Sequence, residues 1–273
     1  MLPILFRVGP ITVYSYGFFL VLAYFAATFI LWREGKRQGY NEEKLLDFSI
    51  ISLIASLVGG RIYYVLLNWG FFAADPVNLL FFWDGGFAFH GSLVAVILVG
   101  IYFIRRWKWS FFQVADISAI AASAALVLGK IGAFLAGIDF GKVSDLPWAV
   151  RFPDLVGARH PVQLYEAAAY VAIFGLLYFF YFKILTSKNM VSGKIFFSFL
   201  VLTSLARAVL EFFRADSDLV FSIPVATIAS VVVAAGSLVA LYYFGLRNFR
   251  EDTRTFLTFV FGLNAKILRK LKI

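Results

Sequence analysis

The stretch Ile11–Trp32, reading ITVYSYGFFLVLAYFAATFILW, decides the fold class. It holds no charged residue, and the charge-free run begins earlier, at Val8. A helix needs about 20 apolar residues to cross the hydrocarbon core of a bilayer. A soluble helix of that length keeps a charged or polar stripe for water, and this stretch offers none. The basic residues Arg33, Lys36 and Arg37 follow the apolar run, the reverse of a cleavable signal peptide. Six further stretches pass the same length test: Leu46–Trp69, Gly86–Ile104, Phe111–Gly132, Val162–Phe182, Ile195–Phe213 and Leu219–Leu246. The expected fold is therefore all-α, a polytopic membrane protein with about seven transmembrane helices.

Composition agrees with this. Of 273 residues, 62% are hydrophobic and 15% charged, against about 45–50% and about 25% in soluble domains. An ordinary soluble enzyme is excluded, and so is disorder, which requires low hydrophobicity. The chain has no cysteine, which excludes a disulfide scaffold and a thiolate metal site. His90 and His160 are the only histidines, a poor inventory for any metal site. The net charge of +9 would suit a nucleic-acid partner, but its distribution points elsewhere. Of 25 lysines and arginines, 17 fall in segments 33–44, 105–109, 183–194 and 247–273, and five in 1–10, 70–85, 138–161 and 214–218. By the positive-inside rule the first set is cytoplasmic, the N-terminus is outside and the C-terminus inside. The charge is topology, and no nucleic acid is expected. Residues 1–246 read as a single transmembrane domain. Residues 247–273 read as a basic tail, either an interfacial helix on the anionic inner leaflet or a solvated segment.

Ionisable groups inside spans cost about 2.5–3.5 kcal/mol each and call for a function or a partner. They are Arg61, Asp116, Lys130, Glu166, Arg207 and Glu211, joined by His90 near a span end. Most fall toward the outer side at similar depth, which points to one shared cavity. Each also has a plainer reading. Arg207 and Glu211, spaced i, i+4, could neutralise one another. Asp116 could be interfacial, Lys130 could snorkel to the headgroups, and His90 could be a satisfied buried histidine. Arg61 has no acidic residue within a turn, so it calls for a partner from another helix or an anionic ligand. Glycines Gly59-Gly60, Gly85-Gly86 and Gly129, Gly132 and Gly137 flank these groups, allowing close helix packing or close approach of a ligand.

Six local strings resemble the prolipoprotein diacylglyceryl transferase family. They are Gly60-Arg61-Ile62-x-Tyr64-Val65-Leu66, Asp84-Gly85-Gly86-x-x-Phe89-His90-Gly91, and Ser110-Phe111-Phe112-Gln113-Val114-x-Asp116. Further along come Arg159-His160-Pro161-x-Gln163-Leu164-Tyr165-Glu166 and Arg207-x-x-x-Glu211-Phe212-Phe213-Arg214, and Tyr16-Gly17 stands inside the first span. The resemblance runs to about Leu246. Departures gather at the family's signature: Lys130 replaces an arginine, Ala133 and Ala136 replace asparagines, and Ile138 replaces a glutamate, with Asp139 one position later. Thr203 and Ser92 replace a tyrosine and a glycine, and the Gly-Gln pair expected near Val225–Ser230 is not evident.

The resemblance implies transfer of the diacylglyceryl group of phosphatidylglycerol to the lipobox cysteine of prolipoproteins, in the bacterial cytoplasmic (inner) membrane. It implies His90 as base for the thiol, whose free pKa lies near 8.5. Arg207, held by Glu211, belongs with it in the catalytic set. Tyr16, Arg61, Lys130, Asp139, His160, Tyr165 and Glu166 are the expected substrate and phospholipid contacts. The partners are phosphatidylglycerol, the signal peptides of prolipoproteins and the bilayer, with no metal or cofactor. A catalytically impaired paralogue that binds lipid or precursor is the alternative, and a small transporter a more distant one, without visible internal symmetry.

Overall fold

The computed structural model describes residues 1–9, 11–153, 155–185, 193–215, 219–220 and 223–243. The expected tail, 247–273, lies outside the described residues. Among the described residues, six helices are long and apolar enough to cross a membrane. They are α1 (Ser15–Arg37), α2 (Glu42–Leu67), α4 (Phe89–Arg106), α5 (Phe111–Ala136), α6 (Val162–Leu185) and α7 (Lys194–Leu210) taken with the turn that carries it on to Phe213. A short α3 (Trp69–Ala74) follows α2, and a shorter apolar α8 (Val225–Leu241) follows α7. The protein is an all-α, multi-pass membrane protein.

The chain divides into two compact units, residues 27–118 and residues 1–26 with 119–273. In the first, α2 begins on Asn41, whose side chain accepts the Lys44 backbone N–H, with Glu42 and Glu43 in the first turn favouring the positive helix end. It packs against α4 through small residues. A Cβ on Gly59 or Gly91 would collide with the backbone of the facing helix, the close approach that substitutes for a hydrophobic driving force in lipid. Ser92, in place of the family's glycine, donates its hydroxyl to the Ser56 carbonyl at 2.7 Å. Asp116 is buried against the protein.

In the other unit the expected start of the first span is corrected. Ile11–Tyr14 is a strand (β2) paired antiparallel with Ile4–Val8 (β1), and α1 starts only at Ser15. The β-branched Ile11, Thr12 and Val13 suit a pleated edge, and Ser15, fully buried, ties its hydroxyl to the Leu2 carbonyl. Two-residue strands Val150–Arg151 (β3) and Ala158–Arg159 (β4) pair in the loop between α5 and α6. Strands Leu219–Val220 (β5) and Ile223–Pro224 (β6) form a hairpin that delays α8 to Val225, where the expected seventh span began at Leu219. Pro224 at the N-cap has no N–H to donate to an earlier helical turn. The third span likewise starts at Phe89 rather than Gly86, because Gly85 and Gly86 hold φ of 90° and 77°.

Candidate active site

Glu166, in the first turns of α6, is 1% exposed and faces three cations. Its carboxylate lies 2.7 Å from Lys130 Nζ, 2.8 Å from an Arg207 Nη and 3.7 Å from an Arg214 Nη. Two further carboxylates complete the network. Asp139 lies 2.8 Å from Lys130 and 3.5 Å from Arg214, and Glu211 lies 3.1 Å from Arg207 and 3.9 Å from Arg214. Three cations and three carboxylates thus meet in one unit. Removing both charges of a pair from water is costly, and such groups persist only when mutually paired.

Each element explains one corner. Lys130 comes from the last turns of α5, and it is paired rather than snorkelling: its side chain is 17% exposed. Arg207 and Glu211 share one face as expected, although α7 ends at Leu210 and Glu211–Phe213 tightens into a 3-10 turn. Asp139 sits in a left-handed conformation, φ 62°, which aspartate tolerates better than most residues. Gln163, completely buried in α6, donates Nε2–H to the Ile138 carbonyl at 2.6 Å and anchors that turn. The one-residue shift from Ile138 to Asp139 is therefore met by the backbone, which turns the aspartate onto Lys130. Burial pushes the Asp139 carboxyl upward, but Lys130 and then Arg214 outweigh it and hold it below the usual carboxylate range.

Arg214, a loop charge by its place in the sequence, is 6% exposed within the network. The spacing 207, 211, 214 follows one helical face, a signal that could have found it. Beside the network, Trp148 Nε1–H donates to the Tyr165 hydroxyl at 2.7 Å, and that hydroxyl lies 3.3 Å from His160 Nδ1. Phe213 packs edge-on against the His160 ring at 5.1 Å. Tyr16 stands half-exposed in the first turn of α1. A Cβ on Gly132 would lie 2.6 Å from Phe19 Cβ and 3.6 Å from Tyr16 Cα, so this glycine admits α1 close to α5.

Arg61 and His90 belong to the other unit. Among the described residues, Arg61 is held by backbone carbonyls and by the ring of Phe72 on α3. Its Nη atoms donate to the carbonyls of Gly85 (2.7 Å), Gly86 (3.3 Å), Asn78 (2.8 Å) and Phe81 (3.3 Å), with the guanidinium 5.3 Å from the Phe72 ring centre. His90 lies in the first turn of α4 and is exposed, not a satisfied buried histidine. The structure thus brings together Lys130, Asp139, Glu166, Arg207 and Glu211, and sets His160 and Tyr165 in contact with each other.

Residues 3–243 match the family model described as prolipoprotein diacylglyceryl transferase. The chain belongs to the prolipoprotein diacylglyceryl transferase family. It is 36% identical over 216 residues to the phosphatidylglycerol–prolipoprotein diacylglyceryl transferase of Geobacter sulfurreducens, covering 78% of this chain and 82% of that one. The protein of the same name from Aeromonas salmonicida is 36% identical over 225 residues, covering 80% and 79%. That of Nostoc sp. is 31% identical over 255 residues, covering 90% of each. In this member of the family, Lys130 and Asp139 pair at 2.8 Å within the network around Glu166.

Proposed function

We propose that this chain transfers the diacylglyceryl group of phosphatidylglycerol to the lipobox cysteine of prolipoproteins. The site lies toward the outer leaflet of a bacterial cytoplasmic membrane, with the N-terminus outside and the C-terminus inside. The observation that supports it most is the network around Glu166, in a chain of this family. Glu166 and Glu211 are 1% and 3% exposed, whereas the side chain of Arg207 keeps 28%. Buried carboxylates behind a more open guanidinium hold its fork in place without covering it, the preorganisation that favours a developing negative charge.

In the proposed reaction the cysteine sulfur attacks the glyceryl carbon bonded to the phosphate oxygen. The C–S bond forms, the C–O bond breaks, and the electron pair leaves with glycerol phosphate. The thiol proton passes to His90, whose residue type suits base work near neutral pH. The departing phosphate gains one negative charge, which Arg207 and Lys130 stabilise, with Arg214 behind them. Glu211, Glu166 and Asp139 position these cations, and Tyr16, His160 and Tyr165 line the approach of the substrates.

The test is complementation in bacteria depleted of their own transferase. The chain restores thioether lipidation of a marker prolipoprotein, and a His90→Gln variant does not. Correct membrane insertion without lipidation would overturn the activity, and undiminished lipidation by His90→Gln would remove the assigned base.

A further inference from the structure

Arg61 is held by backbone carbonyls through its Nη atoms, while its buried Nε makes no hydrogen bond among the described residues. All four Nη–H bonds are committed to the carbonyls of Asn78, Phe81, Gly85 and Gly86. Hydrogen bonds from a charged donor are the strong ones, and here they gather carbonyls from one connecting segment. That segment leads directly into His90. Its two glycines hold φ of 90° and 77°, and a Cβ on Gly86 would lie 2.6 Å from the Tyr64 ring and 2.7 Å from Arg61 Nη1. The left-handed backbone aims the carbonyls at the guanidinium, and the missing side chain leaves room for it. Two residues later the Ala88 N–H donates to the Gly60 carbonyl at 3.0 Å, next to Arg61 in sequence. The cradle forms part of a cavity of about 210 Å³ walled by Tyr64, Phe71 and Phe72.

We propose that Arg61 is a positioning residue: it clamps the turn at Asn78–Gly86 onto α2, so that His90 is presented at a fixed place at the start of α4, and it does not bind the lipid phosphate. The proposal rests on the transferase reading for its kinetic consequence, while the clamp itself stands on unit 27–118 alone. A planar fork with several parallel donors is what holds several carbonyls at once. A lysine supplies a single point charge and cannot replace it, whereas a lysine would keep much of its value as a simple phosphate counter-ion.

The experiment uses the full chain in detergent or vesicles, with Arg61→Lys, Arg61→Gln and Gly86→Ala. Amide hydrogen exchange is measured over residues 76–92, and transfer kinetics are measured with phosphatidylglycerol vesicles and a lipobox peptide. The clamp predicts faster exchange confined to Asn78–Phe89 in all three variants. It predicts kcat lower by about a hundredfold, KM for phosphatidylglycerol within twofold, and Lys no better than Gln. A raised KM with kcat retained, or rescue by lysine, would make Arg61 a phosphate ligand and overturn the proposal. Unchanged exchange would overturn it whatever the kinetics. An inactive wild type would count against the transferase reading, and exchange would still decide the clamp. Should the Arg61 variants fail to insert, Gly86→Ala, which retains the arginine, gives the same exchange and kinetic readout.

Discussion

Around Glu166, three cations meet three carboxylates; at Arg61, one guanidinium meets backbone carbonyls and, among the described residues, no carboxylate. Both arrangements keep a cation among apolar helices, but they fail differently when broken. In the network every member is held by charge, and losing one leaves another buried and uncompensated. In the cradle the acceptors are neutral, and losing the arginine leaves carbonyls that water can reach from the partly exposed loop. The first arrangement holds cations for chemistry on an anion. The second fixes a piece of backbone.

The largest expected effect follows from the network. Glu166→Ala leaves Lys130, Arg207 and Arg214 without their shared carboxylate and should destabilise the fold by about 3–5 kcal/mol, with lipidation lost. Thermal unfolding of the solubilised protein reads this, and a cost under 1 kcal/mol would show that the network is looser than its distances. Arg61→Gln comes next, at about 1.5–3 kcal/mol for the lost charge-assisted hydrogen bonds. A cost equal to that of Glu166→Ala would erase the distinction between the two regions.

The smallest effect is at Asp139. Its folded pKa is depressed by Lys130 and Arg214 despite burial, so its contribution is fully present above the unfolded value of about 3.9 and is lost as pH falls through the lower folded value. The side chain is 35% exposed, which limits the pair to about 1 kcal/mol or less. The stability difference between wild type and Asp139→Asn should therefore be flat from pH 7 down to about 4 and vanish only in more acid solution. A difference that decays near neutrality would contradict the ordering of its electrostatic causes.

The spans were legible because hydrocarbon leaves a strong compositional mark, and so were the charges that violate it. Span boundaries failed where local chemistry competed with hydropathy: at Ile11–Tyr14, apolar enough for a helix yet paired as a strand, and at Leu219–Pro224, where a hairpin and a proline postponed α8. The Arg207–Glu211 pair could be read from its spacing. The centrality of Glu166 could not, since its partners come from α5 and α7 and meet only in three dimensions. Arg214 was hidden by lying past the apolar run, and the Arg61 cradle was hidden because backbone carbonyls leave no residue signature. Asp139 needed the backbone conformation: a carboxylate displaced by one position reaches Lys130 only because the chain adopts φ 62° there.

The central claim is that this network, with its lysine and its displaced aspartate, serves a working transferase. The most direct measurement incubates the purified full chain in phosphatidylglycerol vesicles with a lipobox-cysteine precursor, and follows both the precursor mass and the glycerol phosphate released. The account predicts a thioether-linked diacylglyceryl group on the cysteine, matched one for one by glycerol phosphate. A correctly inserted protein that leaves the thiol free, and releases no glycerol phosphate, would contradict it.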